Sequence, residues 1–154
     1  MPQSFLHVFV IVFSFFAVFA APVFAAGTDD GSAAASATAP DYAAARALVE
    51  AGNYDAALPA LLAVTEADAQ NADAWNLLGF THRMLGHMED SSLAYLNVLS
   101  INPDHLGALE YQGELFLQTG KPDAAKANLA RIKALCGSCE ESLDLEKAIT
   151  AAGV

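Results

Sequence analysis

Two cysteines three residues apart are the strongest candidates for chemistry in this sequence, in the segment Cys136-Gly-Ser-Cys139. A disulfide between them would fix a local turn, and this is the plainest interpretation if the chain is exported to an oxidising compartment. A redox-active dithiol is an alternative, because a thiol near a helix N-terminus ionises more easily. Zinc would need further ligands that no nearby Cys or His pair supplies, and covalent haem would need a histidine where Glu140 stands.

The histidines form no recognisable ligand set in the sequence. We expect His82 to pack inside a pair of helices and His87 to lie in a turn. The sequence also lacks a Ser-His-Asp arrangement, a glycine-rich phosphate loop and a pair of carboxylates in a defined cleft. It therefore predicts no catalytic residue, no metal site and no cofactor.

The N-terminal segment resembles an export signal. Residues 1–26 contain no Lys, Arg, Asp or Glu, and their apolar run ends in the small residues Ala25 and Ala26. This pattern predicts a secretory signal peptide over 1–26, cleaved near one of these alanines, and export to the bacterial periplasm. The run is also long enough to remain as an uncleaved membrane anchor. Residues 27–39 are small and polar, which predicts a flexible linker, with folding from residue 40 onward.

The net charge of −11 limits the partners that the chain can bind. Phosphate binding needs clustered Lys and Arg, so a nucleic-acid partner is excluded. A basic protein partner suits this charge, and so does the simpler explanation that acidic residues keep an exported protein soluble.

A ladder of glycines indicates the elements that carry these residues. Gly52, Gly86 and Gly120 are 34 residues apart, and each is followed by a similar local pattern with an acid three residues later. A fixed period of this length is typical of stacked helical hairpins, in which each unit buries its apolar face against the next. We therefore predict three units of two helices, with a tight turn at each ladder glycine. The units are residues 38–71, 72–105 and 106–139.

The three predicted units resemble the repeats of the tetratricopeptide repeat family. The middle unit has that family's signature residues at their spacing, namely Trp75, Leu78, Gly79, Tyr95 and Pro103. The outer units match at Ala45, Leu48, Ala57 and Leu61, and at Gly113, Phe116, Ala125 and Leu129. Ser91 stands where the family usually has Ala. The resemblance implies an all-α helical-hairpin solenoid over 40–154, in which Gly79 and Gly113 let the two helices of a unit cross closely.

Two details of the helices carry further expectations. Pro59 falls in the second turn of the second helix, which predicts either a late start or a local kink there. Residues 139–151 are predicted to form a final helix that caps the array, covers the last helix of the third unit and starts at a Ser138–Glu141 capping box. Its apolar stripe is expected to comprise Leu143, Leu145, Ala148 and Ile149.

The resemblance also implies a binding groove. In this family the first helix of each unit, the A helix, lines a concave surface that holds an extended peptide or a partner helix. Transferred by unit position, the groove residues are Tyr42, Arg46, Val49 and Glu50, then Asn76, Phe80, Arg83 and Met84, then Glu110, Glu114, Leu117 and Gln118.

The function that follows is a non-enzymatic protein-interaction scaffold with an unidentified protein or peptide partner. A thiol redox or metal-handling protein that uses Cys136 and Cys139 is the alternative. The sequence determines neither the partner nor the oligomeric state.

Overall fold

The computed structural model describes residues 40–154, and every regular element in this range is an α-helix. The predicted signal peptide and linker lie outside the described residues. The all-α prediction is confirmed for 40–154. The helices are α1 (Tyr42–Glu50), α2 (Tyr54–Ala67), α3 (Ala72–Met84), α4 (Met88–Ile101), α5 (Leu106–Gln118), α6 (Pro122–Cys136) and α7 (Glu140–Ala151).

The helices form three hairpins that stack in chain order. Helices α1, α3 and α5 are the A helices, and each packs against the B helix that follows it, α2, α4 or α6. Each hairpin also contacts the next one through α2 with α3 and α4 with α5. One apolar cluster joins the first two hairpins around Leu61 and Leu78, and a second joins the middle and third around Tyr95 and Leu115. No hairpin therefore buries its apolar surface alone.

The ladder glycines make the predicted turns. Gly52, Gly86 and Gly120 have φ angles of +72°, +82° and +72°, in the left-handed region that favours glycine. At each, the glycine N–H bonds to a carbonyl three residues back, and the next N–H bonds five residues back. This double bond pattern is the Schellman motif, which ends the A helix and satisfies its last carbonyls.

The B helices begin as the sequence indicates. Asp55, Glu89 and Asp123 lie in the first turns of α2, α4 and α6, where a carboxylate complements the helix dipole. Pro59 lies inside α2, which starts at Tyr54, so the late start offered as one outcome is wrong.

The two family glycines make different contacts. A Cβ at Gly79 would lie 2.6 Å from the ring of Tyr95 on α4, so this glycine brings α3 and α4 together as expected. Ser91 of α4 is fully buried and donates a 2.8 Å hydrogen bond to the Gly79 carbonyl, which explains the hydroxyl at a usual Ala position. A Cβ at Gly113 would instead lie 2.6 Å from Leu145 on α7. The expectation that Gly113 serves the crossing of α5 and α6 is therefore wrong.

The final helix is present, with two corrections. It begins at Glu140 with Cys139 as its N-cap, so the predicted Ser138–Glu141 capping box is wrong. It packs against α5 as well as α6, and Leu145 and Ile149 enter an apolar cluster with residues of both helices. Leu143 is 53% exposed and does not belong to the buried stripe.

Between residues 40 and 154, none of the helices is both long enough and apolar enough to span a bilayer.

Candidate functional site

The A helices share a face with three neighbouring clefts, which we call the A-helix face. The first, the aromatic cleft, has a volume of about 440 Å³. It is lined by Arg46, Val49, Glu50, Tyr54, Leu77, Phe80 and Tyr111. These residues come from α1, α2, α3 and α5, so the cleft exists only when all three hairpins are stacked.

A row of three aromatic rings forms the wall of this cleft. The ring centroids of Tyr54 and Phe80 are 5.9 Å apart, and those of Phe80 and Tyr111 are 5.0 Å apart. Edge and tilted contacts at these distances are favourable for aromatic pairs. Each ring belongs to a different hairpin, so the row is a product of the stacking.

Arg83 closes one end of the row. Its guanidinium carbon lies 5.4 Å from the centroid of Phe80 and 5.9 Å from that of Tyr111, within cation–π range. Its Nη2 also pairs with Oε2 of Glu114 at 2.5 Å, and the Arg83 side chain is only 6% exposed. Arg83 is therefore a buried part of the wall with a neutralising partner, and not a free cation.

Two further clefts continue along the A-helix face toward α7. The mixed cleft, of about 340 Å³, is lined by Arg83, Glu114, Leu117, Gln118, Ala148 and Ala152. The acidic cleft, of about 280 Å³, is lined by Glu110, Glu114, Asp144, Lys147, Ala148 and Ala151. They share Glu114 and Ala148, so α7 forms the far wall of both.

Glu110 makes the acidic cleft electrostatically unusual. Burial, followed by the nearby carboxylates of Glu114, Asp144 and Glu141, raises the pKa of its carboxyl to about 8, while Arg83 opposes the shift. The same repeat position in the middle hairpin holds the neutral Asn76. A positive charge in the acidic cleft would favour the ionised form of Glu110.

Most of the predicted groove residues lie on these clefts, and three do not. The clefts include Arg46, Val49, Glu50, Phe80, Arg83, Glu110, Glu114, Leu117 and Gln118. Tyr42, Asn76 and Met84 line none of the three. Asn76 is 8% exposed, and its amide nitrogen lies against Gly107 of α5. Tyr42 packs half-buried against the first apolar cluster, and Met84 is 46% exposed.

The repeat pattern did not predict Tyr54, Leu77 and Tyr111 in the aromatic cleft. It also did not predict the α7 residues that line the mixed and acidic clefts. Tyr54 belongs to a B helix, and a rule that takes only A helices leaves it out. Leu77 and Tyr111 directly follow Asn76 and Glu110, so each lies one residue beyond a position transferred from the family. Nothing in the repeat pattern indicated α7 as a wall.

The cysteines are joined in a disulfide at the junction of α6 and α7. Their Cα atoms are 5.7 Å apart, and both side chains pack on the apolar cluster of the third hairpin. A covalent link there ties the end of α6 to the N-cap of α7.

His82 and His87, which were predicted to lie in a helix pair and in a turn respectively, are in contact. Nδ1 of His82 lies 3.4 Å from Nδ1 of His87 across the α3–α4 turn, and Asp90 offers a third ligand atom nearby. Burial lowers the pKa of His82, and His87 adds to this effect while Asp90 opposes it. The turn position of His87 is as expected, and the pairing of the two rings was not foreseen.

Comparisons with known proteins agree with this architecture. The tetratricopeptide repeat family model matches residues 42–99, which cover the first hairpin and most of the middle one. No curated protein matches the chain in sequence.

Solved structures with the same fold include three protein-binding examples. The Yersinia enterocolitica type III secretion translocator chaperone SycD has a TM-score of 0.64 at 18% identity, over 71% of this chain and 85% of that one. PcrH in complex with the chaperone binding region of PopD has a TM-score of 0.64 at 21% identity, over 73% and 87% of the two chains. The first TPR of Spaghetti (RPAP3), bound to an HSP90 peptide, has a TM-score of 0.64 at 18% identity, over 73% and 90%. At these identities the likeness is one of fold.

Proposed function

We propose that this chain is a non-enzymatic protein-interaction scaffold of the tetratricopeptide repeat family that holds a peptide or a helix on its A-helix face. Three kinds of observation support the proposal: the family match over 42–99, the fold shared with proteins solved together with peptides, and the three connected clefts. The aromatic cleft is the observation that carries it.

The aromatic cleft suits a large apolar side chain. Tyr54, Phe80 and Tyr111 offer ring faces and edges, with Val49 and Leu77 beside them. Aromatic residues in a partly enclosed pocket supply much of the binding energy in protein interfaces. A Leu, Met or aromatic residue of the partner would therefore be the anchor.

The charges beyond the aromatic cleft suit a basic side chain. Arg83 is already paired with Glu114 and offsets only part of the negative charge around Glu110, and Lys147 is the one basic residue that lines the acidic cleft with Glu110 and Asp144. Bringing a Lys or Arg of the partner to Glu110 would stabilise the ionised carboxylate. The partner segment that fits best has an apolar anchor followed by a basic residue.

A displayed peptide library tests this proposal directly. Selection on the wild-type chain should enrich peptides with an apolar anchor and a nearby Lys or Arg, and Phe80→Ala should weaken their binding by at least about tenfold, the loss of one anchor contact. Leu93→Ala is the matched control, because Leu93 is 61% exposed and lines none of the three clefts. Equal loss in both variants, or no enrichment at all, would contradict the proposal.

Arg83 is a poor probe of binding, although it is one of the predicted groove residues. Its removal would leave Glu114 unpaired beside Glu110 and would open the end of the ring row. Arg46→Ala is the better second variant, because Arg46 is exposed at the rim and, among residues 40–154, forms an ion pair with Glu50 alone, at 2.7 Å.

We propose that the disulfide is structural and that it anchors α7. Its cysteines pack on the third hairpin's apolar cluster, where α7 supplies Leu145. A structural bond should have a reduction potential below about −300 mV. A markedly higher potential, together with loss of activity in a folded double serine variant, would favour the alternative redox function.

We also propose that the chain is exported, on the basis of residues 1–26 alone. The intact mass of the protein recovered from the periplasm should correspond to cleavage near Ala25 or Ala26. Recovery of the uncleaved chain in the membrane fraction would favour the anchor instead.

A further inference from the structure

Three side chains with metal-binding atoms meet at the turn of the middle hairpin. His82 lies in the last turn of α3, His87 is the N-cap of α4, and Asp90 lies in the first turn of α4. One ligand atom from each is within 4.8 Å of the others. The left-handed Gly86 reverses the chain between the two histidines and so brings them to the same side of the turn.

The distance between the two ring nitrogens matches the spacing of two ligands on one metal ion. The Nδ1 atoms are 3.4 Å apart, which is longer than the ordinary range of about 2.7–3.2 Å for a nitrogen hydrogen bond. Two nitrogens at about 2.0–2.1 Å from a tetrahedral zinc ion are separated by about 3.4 Å. The rings are tilted by 52° with centroids 5.7 Å apart, so they are not stacked on each other.

We propose that His82, His87 and Asp90 form a binding site for a divalent transition-metal ion such as Zn²⁺. Two imidazole nitrogens and one carboxylate oxygen favour zinc, copper or nickel over magnesium and calcium, which prefer oxygen ligands alone. Three protein ligands leave a fourth position for water. An open cleft of about 360 Å³ lined by Gly86, His87, Met88, Glu89 and Asp90 gives that water room.

Local charges act on a bound cation in two opposite directions. The N-terminus of α4 carries a partial positive charge that disfavours a metal ion. Glu89 and Asp90 place two carboxylates in the same first turn and offset it. The site joins α3 to α4 through their side chains, so a bound ion would hold the middle hairpin together at its turn.

Zinc titration by calorimetry tests the site. The full chain is used without an affinity tag and with its disulfide intact, so that neither foreign histidines nor thiolates bind the metal. We expect one zinc ion per chain. His87→Ala should weaken zinc binding by at least about tenfold, because loss of a residue that only hydrogen-bonds to a metal ligand already lowers metal affinity by about 10–100-fold. His87 is exposed and makes no side-chain capping bond, so its loss should spare the fold.

His105→Asn is the matched control. The His105 ring accepts from the Ala108 N–H at the N-cap of α5, and Asn is also a favoured N-cap residue, so this variant should fold and bind zinc normally. The melting temperature should rise with zinc in the wild type and in His105→Asn, and should rise less in His87→Ala at the same zinc concentration.

Asp90→Asn should retain the fold and show weaker zinc binding than the wild type. Absence of one-to-one binding in the wild type would overturn the proposal, and so would binding of equal strength in His87→Ala. In either case the two rings form only a long contact across the turn.

Discussion

The middle and third hairpins have the same repeat pattern, but side chains from different elements cover the equivalent glycines. In the middle hairpin, Gly79 receives the ring of Tyr95 from its own B helix. In the third hairpin, the equivalent Gly113 receives Leu145 from α7, which belongs to no hairpin. The middle hairpin therefore completes its helix crossing internally, whereas the third depends on the helix that follows it.

A second pair of equivalent positions shows the same difference. Asn76 in α3 and Glu110 in α5 are 34 residues apart and each is 8% exposed. Asn76 meets the backbone of the next A helix at Gly107, whereas Glu110 faces the acidic residues Glu141 and Asp144 of α7. The third hairpin thus gains both its apolar closure and its acidic cleft from α7, and four experiments probe this dependence.

Leu145→Ala should have the largest effect, because it removes a fully buried side chain that fills the space over Gly113. We expect a loss of about 2–5 kcal/mol in unfolding free energy, measured by urea denaturation. Hydrogen exchange should show α7 and α5 opening first. Leu143→Ala on the same helix is the control, since Leu143 is 53% exposed and should change stability little. Equal losses in the two variants would mean that α7 does not close the third hairpin.

Gly79→Ala and Gly113→Ala compare the two crossings directly. The new methyl at position 79 meets the buried, rigid ring of Tyr95, and we expect a net loss of about 1–3 kcal/mol. At position 113 the new methyl meets the ends of the flexible Leu145 side chain. The free-energy cost of rotating that side chain is offset by the gain of about 1 kcal/mol for alanine over glycine in a helix. Gly113→Ala should therefore be nearly neutral in thermal unfolding. A larger loss at 113 than at 79 would reverse the comparison.

Glu110→Gln probes the acidic side of α7 through pH. Burial raises the pKa of Glu110 to about 8, above the ordinary value of 4.5, so the unfolded chain releases this proton at lower pH than the folded one. The stability that the protonated form contributes is full below pH 4.5 and is lost as pH rises toward 8. Glu110→Gln should abolish that loss and be more stable than the wild type by about 2 kcal/mol at pH 8, which is less than the full shift would give because solvent screens part of the interaction. Parallel stability–pH curves for the two proteins would contradict this.

Replacing both Cys136 and Cys139 by Ser should have a smaller effect than Leu145→Ala. The disulfide closes a very short loop, so its stabilisation is at the low end, about 1–2 kcal/mol. The equivalent junction between α4 and α5 has no covalent link, and the N-cap residue there, His105, bonds to Asp73 of α3 at 3.0 Å. The double serine variant should lose stability mainly in α7, as measured by hydrogen exchange. A loss spread evenly over 40–154 would mean that the bond is not a local anchor.

The glycine ladder was enough to predict the hairpins and their boundaries. Left-handed turns at Gly52, Gly86 and Gly120 need glycine, and this requirement is local, so it is visible in the sequence. The groove was predicted by family position, which found Phe80 and Arg83 but not Tyr54 or Tyr111. Which side chains share a cleft depends on how one hairpin rotates against the next, and sequence spacing does not contain that angle.

The sequence by itself determined an all-α array of three equal hairpins, because turn glycines, helix caps and apolar periodicity act within a few residues. Only the tertiary structure decided what fills the space over Gly79 and Gly113, and where Arg83 and Glu110 find their partners. These outcomes depend on side chains from separate helices that compete for the same volume and charge. That competition takes place only once the hairpins have stacked.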